Sequence, residues 1–194
     1  MHNRSLMSAL VVSFVLSLTA TTRATVLIPA DLGELARDAR AIARGRVVAV
    51  DGRWTDDRRT IETIVTLEVE AYLKGQLGPE IRFSVPGGTL GRYRNIVVGA
   101  PQFAIGQHAI VFLSARGPSV PYIVGFSQGV FRIVAAADGS PVVVPPPVMP
   151  SAVGPIVRGS ASRQAAPLAL FERDVRALVA DVPRRTPSPF AGGR

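Results

Sequence analysis

The feature that most constrains the fold is a long stretch of alternating apolar and polar residues at positions 60–73. Ile61, Val65 and Leu67 fall on one side of this stretch, and Glu62 and Glu68 fall on the other. Because successive side chains of a β-strand point to opposite faces, the pattern predicts one long strand with a buried face and an exposed face. We expect this strand to curl, so that it can pair on both sides of a small sheet.

Shorter apolar or alternating runs on either side predict the rest of the sheet. They cover residues 46–50, 81–85, 109–113, 122–126, 130–134 and 142–144. The continuous apolar run at 109–113 predicts a central strand, buried on both faces. The runs flanking Ser127-Gln128-Gly129 predict a hairpin. Residues 86–106 contain five glycines and predict a long loop.

A helix is predicted at each end of the strand region. Residues 31–44 predict a short helix, in which Asp31 and Glu34 have the spacing of a capping box. Residues 167–182 predict a second helix. Its apolar face carries Leu168, Phe171, Val175 and Leu178, and its polar face carries Glu172, Arg173, Asp174 and Arg176.

The fold class that follows is mostly β. We predict a small five- to six-stranded antiparallel barrel of the oligonucleotide/oligosaccharide-binding (OB) type, with a short N-terminal helix and a C-terminal helix. A β-sandwich is the alternative. The predicted organisation is a signal peptide at 1–24, a β-barrel domain at 25–144, a proline-rich linker at 145–166, the helix at 167–182 and a disordered tail at 183–194.

The first residues have the features of an export signal. Arg4 precedes an apolar stretch at 6–18, and small residues before Thr25 predict cleavage after Ala24, with Ala20 as a second option. The stretch is shorter than the roughly 20 residues that span a bilayer, so an uncleaved anchor is the less favoured alternative. We therefore expect a secreted or periplasmic protein with no stable membrane insertion after cleavage.

Charge and cysteine content exclude several functions. The chain has 22 Lys and Arg against 14 Asp and Glu, a formal net charge of +8. A basic surface attracts nucleic acid, lipid headgroups or acidic polysaccharide, but export argues against nucleic acid. The absence of cysteine excludes disulfides, zinc–thiolate sites and cysteine nucleophiles. We predict neither a metal nor a cofactor.

A series of short motifs resembles a group of uncharacterised bacterial exported proteins. They are Lys74-Gly75, Gly87-Gly88, Gly99-Ala100-Pro101-Gln102-Phe103, Phe112-Leu113 and Gln128-Gly129. The resemblance covers about residues 31–135 plus the final helix, and it implies an exported β protein without a known activity. The chain is also similar, more weakly, to netrin-like domains, including tissue inhibitors of metalloproteinases. Their inhibitory mechanism needs a mature N-terminal cysteine, which this chain lacks.

One sequence motif suggests catalysis. Residues 125–129 match G-x-S-x-G, which makes Ser127 a candidate nucleophile of a serine hydrolase. The mature chain has one histidine, His108, and it precedes Ser127, whereas the motif's usual partners follow the serine. No helix pattern follows Ser127 either. We therefore predict a hairpin turn at Ser127, a structural role for His108, and no catalytic residue.

Aromatic and arginine residues in two predicted loops suggest a binding surface instead. Loops 51–60 and 114–121 are expected to bring Trp54, Arg58, Arg59 and Arg116 to one end of the barrel. The exposed face of the long strand would add Glu62, Thr66, Glu68 and Glu70. Arg92-Tyr93-Arg94 is a second cluster of this kind. Rings between guanidinium groups suit stacking on a planar or anionic partner.

The predicted function is a non-catalytic binding or accessory module for a protein or glycan partner. An inhibitor or accessory partner of an exported protease is one alternative, by analogy with the metalloproteinase inhibitors. A serine hydrolase that uses Ser127 is the other.

Overall fold

The computed structural model describes residues 30–115, 119–146 and 164–181. These ranges contain helices α1 (Leu32–Asp38) and α2 (Leu168–Ala180). Their ten strands are β1 (Ala41–Trp54), β2 (Ile61–Lys74), β3 (Glu80–Pro86), β4 (Gly88–Leu90), β5 (Tyr93–Asn95), β6 (His108–Ser114), β7 (Tyr122–Ile123), β8 (Val130–Ala135), β9 (Pro141–Val144) and β10 (Ala166–Pro167). The predicted signal peptide, most of the predicted linker, the predicted tail and Arg116 lie outside the described residues.

Five strands of the main sheet form a closed ring in the order β1, β2, β3, β7, β6 and back to β1. The prediction of a mostly β chain with a helix at each end is confirmed. One contact in the ring differs from the predicted antiparallel arrangement, because β3 and β7 run parallel and pair through Ser84 and Tyr122. β8, β9 and β10 continue the sheet beyond the ring.

Strand β1 is much longer than predicted. It begins at Ala41, whereas the sequence predicted helix to residue 44 and strand only from 46. The capping box between Asp31 and Glu34 is present, but α1 ends at Asp38. β1 pairs along one edge with β2, and its residues 41–46 pair along the other edge with β6. These two rows of backbone hydrogen bonds override the local helical pattern.

The predicted hairpin at Ser127 is wrong. On β6, Leu113 pairs with Ala41 across one edge and with Ile123 across the other. Val111 pairs with Val130 on that same second edge. β7 and β8 therefore follow each other along one edge of β6, and residues 126–129 form a 3-10 turn between them. β7 and β8 run in the same direction along β6, and their other edges pair with β3 and β9, so the two strands do not pair with each other.

Two separate cores lie on either side of β6. Ala109, Val111 and Leu113 point into the ring, where they pack with residues of β1, β2 and β3. Ile110 and Phe112 point outward and pack beneath α1 and α2. This arrangement confirms the prediction of a central strand, since an apolar run is needed when both faces of a strand are buried.

Helix α2 packs on the outside of the ring through Phe171 and Val175, as predicted. Glu172, predicted to face away, is instead buried. Its Oε1 accepts a hydrogen bond from Arg44 Nη1 at 2.7 Å, and its Oε2 accepts one from Arg176 Nη2 at 3.1 Å. A carboxylate is tolerated at this interface because both of its oxygens bond to guanidinium groups.

Candidate functional site

A hairpin of β4 and β5 lies within the segment that was predicted as a loop, and it folds across one end of the ring. Gly52 of β1 pairs with Thr63 of β2 at that end. A Cβ on Gly52 would collide with the Thr89 carbonyl oxygen, and a Cβ on Gly88 would collide with Thr63 Oγ1. The glycines therefore let the hairpin approach the backbone of the ring closely.

Two hydrogen bonds fasten the start of this hairpin to β2. The Thr63 hydroxyl donates to the Gly87 carbonyl oxygen at 2.7 Å. The Gly87 amide donates to the Ile61 carbonyl oxygen at 3.0 Å. The hairpin is thus held over the ring by hydrogen bonds to its backbone, which no periodic pattern of side chains reveals.

A cavity of about 390 Å³ lies between this hairpin, the end of the ring and the segment that follows β5. Its lining includes Val50, Gly52, Thr63, Val85, Arg94 and Phe103. Phe103 forms the inner wall, with its ring 5.4 Å from the ring of the buried Phe83. The volume lies within the range of small-ligand pockets, which often occupy the mouths of barrel-like sheets.

The described lining of the cavity contains few groups that can carry a charge. Of the described residues that line the cavity, Arg94 is the only one with an ionisable side chain. The others supply aliphatic groups, one aromatic ring, backbone, hydroxyls and amides. A general base or acid needs a carboxylate, imidazole, amine, thiol or phenol, and the described lining provides none of these.

An aromatic pair stands beside the cavity. The rings of Trp54 and Tyr93 lie 5.5 Å apart and are tilted by 60°. The guanidinium carbon of Arg92 lies 5.1 Å from the centre of the Tyr93 ring, and Arg92 Nη2 donates to the Tyr93 hydroxyl at 3.0 Å. The structure therefore joins Trp54 to the Arg92-Tyr93-Arg94 cluster.

Three exposed aliphatic side chains follow the hairpin. Ile96 is 71% exposed, Val98 82% and Ile105 71%. Ile96 also lines the cavity. We call the cavity, the Trp54–Tyr93 pair and these three side chains the mouth site. All three lie on the segment 96–105, whose residues 96–97 and 100–103 line the cavity. Exposed apolar surface beside a cavity is typical of a surface that binds another molecule when it is contiguous.

The other sequence-predicted site residues lie apart from the cavity. Arg58 and Arg59 are exposed in the loop that joins β1 to β2. There the carboxylate of Asp57 accepts hydrogen bonds from the Thr55 hydroxyl and the Arg59 amide, which lower its pKa. Arg116 lies outside the described residues.

The start of the loop that contains Arg116 is far along β1 from Trp54. This loop follows Ser114, and the neighbouring residue Leu113 pairs with Ala41, the first residue of β1. Trp54 is the last residue of the same strand. The described residues therefore do not bring the start of this loop to Trp54.

The outer face of β2 is not an open acidic surface. Arg53, Arg46 and Arg44 on β1 form ion pairs with Glu62, Glu68 and Glu70 at 2.7, 2.7 and 3.2 Å, respectively. Glu70 also lies 3.0 Å from Nδ1 of His108. Thr66, predicted to be exposed, is buried. These ion pairs depend on the register of β1 against β2, which the sequence alone does not give.

The serine-hydrolase alternative gains no support from the position of Ser127. Ser127 lies in a 3-10 turn between two strands, not in the strand-to-helix turn of a hydrolase. Within the described ranges, no three His, Asp or Glu side chains gather as a metal site requires. None of the described helices is both long and apolar enough to cross a bilayer.

Sequence reasoning named Trp54 and Tyr93, in separate clusters, but missed the cavity and the three exposed aliphatic side chains of the mouth site, although one signal was present. Ile96-Val97-Val98 is an apolar run inside a glycine-rich segment, where no strand was predicted to bury it. No protein-family model, curated protein or solved structure matches this chain significantly. Its function is therefore inferred from the geometry of the mouth site.

Proposed function

We propose that this chain is an exported, non-catalytic binding module, and that it binds a partner protein through the mouth site. The observation that carries this proposal is the exposure of Ile96, which lines the cavity, and of Val98 and Ile105 on the same segment of the chain. Burying each aliphatic side chain against a partner would contribute up to about 1.5–3 kcal/mol. A protein is favoured over a glycan, because the most exposed side chains of the mouth site are aliphatic rather than aromatic, and aliphatic groups offer a sugar neither stacking surfaces nor hydrogen bonds.

We further propose that the five-stranded ring is an OB-type barrel. The number of strands supports this assignment. The order of pairing supports it too, because β1 pairs with β2 and with β6, the fourth ring strand along the chain, whereas in an up-and-down barrel the first strand pairs with the last. OB folds often carry a helix between their third and fourth strands. Here the β4–β5 hairpin, which lines the cavity of the mouth site, occupies the position of that helix.

The charge of the chain supports an acidic partner. The formal net charge is +8 for the whole chain and +6 without Arg4 and Arg23 of the predicted signal peptide, and Arg94 lines the cavity while Arg92 lies beside the aromatic pair. Opposite charge on a partner would speed association and fix its orientation. Export of the module to the periplasm or the medium is part of the proposal, and N-terminal sequencing of the exported form should begin at Thr25.

The test compares two triple variants. The first changes Ile96, Val98 and Ile105 to serine, which removes the aliphatic surface of the mouth site. The control changes Val134, Val144 and Leu170 to serine; these are also exposed but lie on β8, β9 and α2. Both variants should keep the melting temperature of the parent, because exposed positions contribute little to stability.

Each protein is then used to capture partners from exported proteins of its own source, with quantitative mass spectrometry. We expect the mouth-site variant to lose a partner that the parent and the control variant both retain. Equal capture by all three proteins would contradict the proposal. A partner released by a glycosidase would identify the ligand as a glycan instead.

A further inference from the structure

Strand β1 has a free edge next to the mouth site. Its first six residues pair with β6, and Val47 then exchanges backbone hydrogen bonds with Gly106 and Gln107. β2 occupies the opposite edge along the whole strand. Beyond Val47, the described residues place no strand on the edge that faces away from β2.

The backbone groups on this edge can be assigned from two hydrogen bonds. The Thr55 amide donates to the Thr60 carbonyl oxygen at 2.9 Å, so this pair points inward between β1 and β2. The Gly87 amide donates to the Ile61 carbonyl oxygen, which therefore points away from β1. Ile61 pairs with Trp54, so the backbone N–H and C=O groups of these two residues point away from each other. Alternation along an antiparallel pair then turns the N–H and C=O groups of Val50, Gly52 and Trp54 toward the free edge.

The same three residues have their side-chain positions on the face that bears the cavity. Val50 and Gly52 line the cavity, and Trp54 follows two positions later on the same face. A strand added to this edge would place every second side chain opposite one of these residues, at a Cβ separation of about 4.5–5.5 Å. Those side chains would therefore point into or over the cavity.

We propose that an extended segment of the partner adds to β1 as a strand along residues 50–54 and inserts alternate side chains into the mouth cavity. This inference rests on the proposed function and names its mode of binding. Backbone hydrogen bonds supply affinity in such complexes, and pockets for alternate side chains supply specificity. The lining selects an aliphatic side chain for the cavity and an acidic side chain for Arg94.

The same edge fits a second copy of this chain less well. Antiparallel pairing of two β1 edges about Gly52 would place glycine opposite glycine, so no side chain of the second copy would enter the cavity opposite Gly52. The residues facing the cavity from the second copy would be Val50, Gly52 and Trp54, none of which is acidic. Arg94 would then have no charge to meet. A segment of another protein can supply both an aliphatic side chain for the cavity and an acidic side chain for Arg94.

The experiment uses ten-residue peptides selected from a random displayed library on the mature chain. The dissociation constant is measured from the fluorescence of Trp54, the single tryptophan. Two variants are compared, Val50→Pro and Val50→Ala. Proline removes an amide that faces the free edge, and it takes no hydrogen bond from the ladder between β1 and β2. Alanine removes most of the side chain and keeps the amide.

We expect Val50→Pro to weaken binding at least about tenfold and Val50→Ala to weaken it by less than about threefold. A second measurement leaves the protein unchanged and methylates the amides of the peptide one at a time. Methylation should abolish binding at alternate positions and leave the positions between them nearly unaffected. This measurement decides the question even if Val50→Pro fails to fold.

Several results would overturn strand addition. They are the failure to select any peptide, equal binding by Val50→Pro and Val50→Ala, and methylation effects without alternation. A dimer that dissociates in Val50→Pro would show that a second copy occupies the edge. If the Ile96, Val98 and Ile105 variant loses the partner while Val50→Pro retains it, the proposed function stands and only strand addition fails.

Discussion

Replacing Arg44 by methionine tests how α2 is held on the ring. Arg44 Nη1 donates to Glu172 Oε1 at 2.7 Å. Arg44 Nε lies 3.2 Å from Glu70 Oε2, but it is not aligned for a hydrogen bond. The side chains of Arg44 and Glu172 are only 25% and 11% exposed, so water can replace little of what the substitution removes.

The expected cost follows from these contacts. A hydrogen bond to a charged group contributes about 1.5–3 kcal/mol. Leaving a buried charge with no partner would cost about 3–5 kcal/mol, but Glu172 keeps the hydrogen bond from Arg176 at 3.1 Å. We therefore expect Arg44→Met to lower the free energy of unfolding by about 1.5–3 kcal/mol, which lowers the melting temperature by roughly 4–10 °C.

Arg46→Met is the matched control. Arg46 is on the same strand and pairs with Glu68 at the same 2.7 Å, but the two side chains are 48% and 55% exposed. An exposed pair contributes about 0–1 kcal/mol, so this variant should unfold close to the parent. Both are measured by calorimetry and urea denaturation. Similar losses in the two variants would show that burial does not strengthen the Arg44–Glu172 pair.

A double-mutant cycle isolates the interaction itself. Arg44→Met combined with Glu172→Met should recover part of the loss, because two apolar side chains can replace a buried pair at little cost. A coupling energy near zero would mean that Arg44→Met acts through lost packing of its aliphatic stem rather than through the charge.

Three further outcomes are expected. Phe171→Ala should cost about 3–5 kcal/mol in urea denaturation and Leu170→Ala under about 0.5 kcal/mol, since these neighbours are 9% and 45% exposed; equal costs would mean that α2 does not pack as described. Gly52→Ala should push the β4–β5 hairpin away from β1, because the new Cβ would collide with the Thr89 carbonyl oxygen, and should shift the fluorescence of the single tryptophan; an unchanged spectrum would contradict this contact. The contribution of the Asp57 carboxylate to folding stability should be complete above its unfolded pKa near 3.8 and should disappear as the pH falls through its lower folded pKa. Asp57→Asn should remove this pH dependence of the melting temperature, and the same melting temperature profile in parent and variant would refute the prediction.

The parts of the fold that the sequence predicted correctly are those in which one local signal suffices. The capping box needs only Asp31 and Glu34, three residues apart. The alternation at 60–73 corresponds to β2, and the apolar run at 109–113 lies in the doubly buried β6. The apolar face of α2 was predicted from its spacing. In each case the residues that carry the signal are the ones that form the element.

The errors occur where distant segments compete with a local pattern. Ile42 has helical spacing from Leu35, yet it lies in β1 because β2 and β6 both offer hydrogen bonds there. The two runs around Ser127 look like a hairpin, yet each pairs with β6 instead. Glu172 has the spacing of an exposed residue, yet it is buried and accepts a hydrogen bond from Arg44, which lies 128 residues earlier in the chain.

The sequence by itself therefore determined a mostly β chain with a capped first helix, a central strand buried on both faces and an amphipathic last helix. Hydrophobic periodicity indicates which side of a helix or strand is buried, and that is why these features could be predicted. Only the tertiary structure decided the mouth site. The cavity, the Trp54–Tyr93 contact and the free edge of β1 exist because closing the ring brings the end of β1 against the β4–β5 hairpin. Those contacts depend on strand register and on glycines that allow backbone to touch backbone, and neither leaves a periodic signal in the chain.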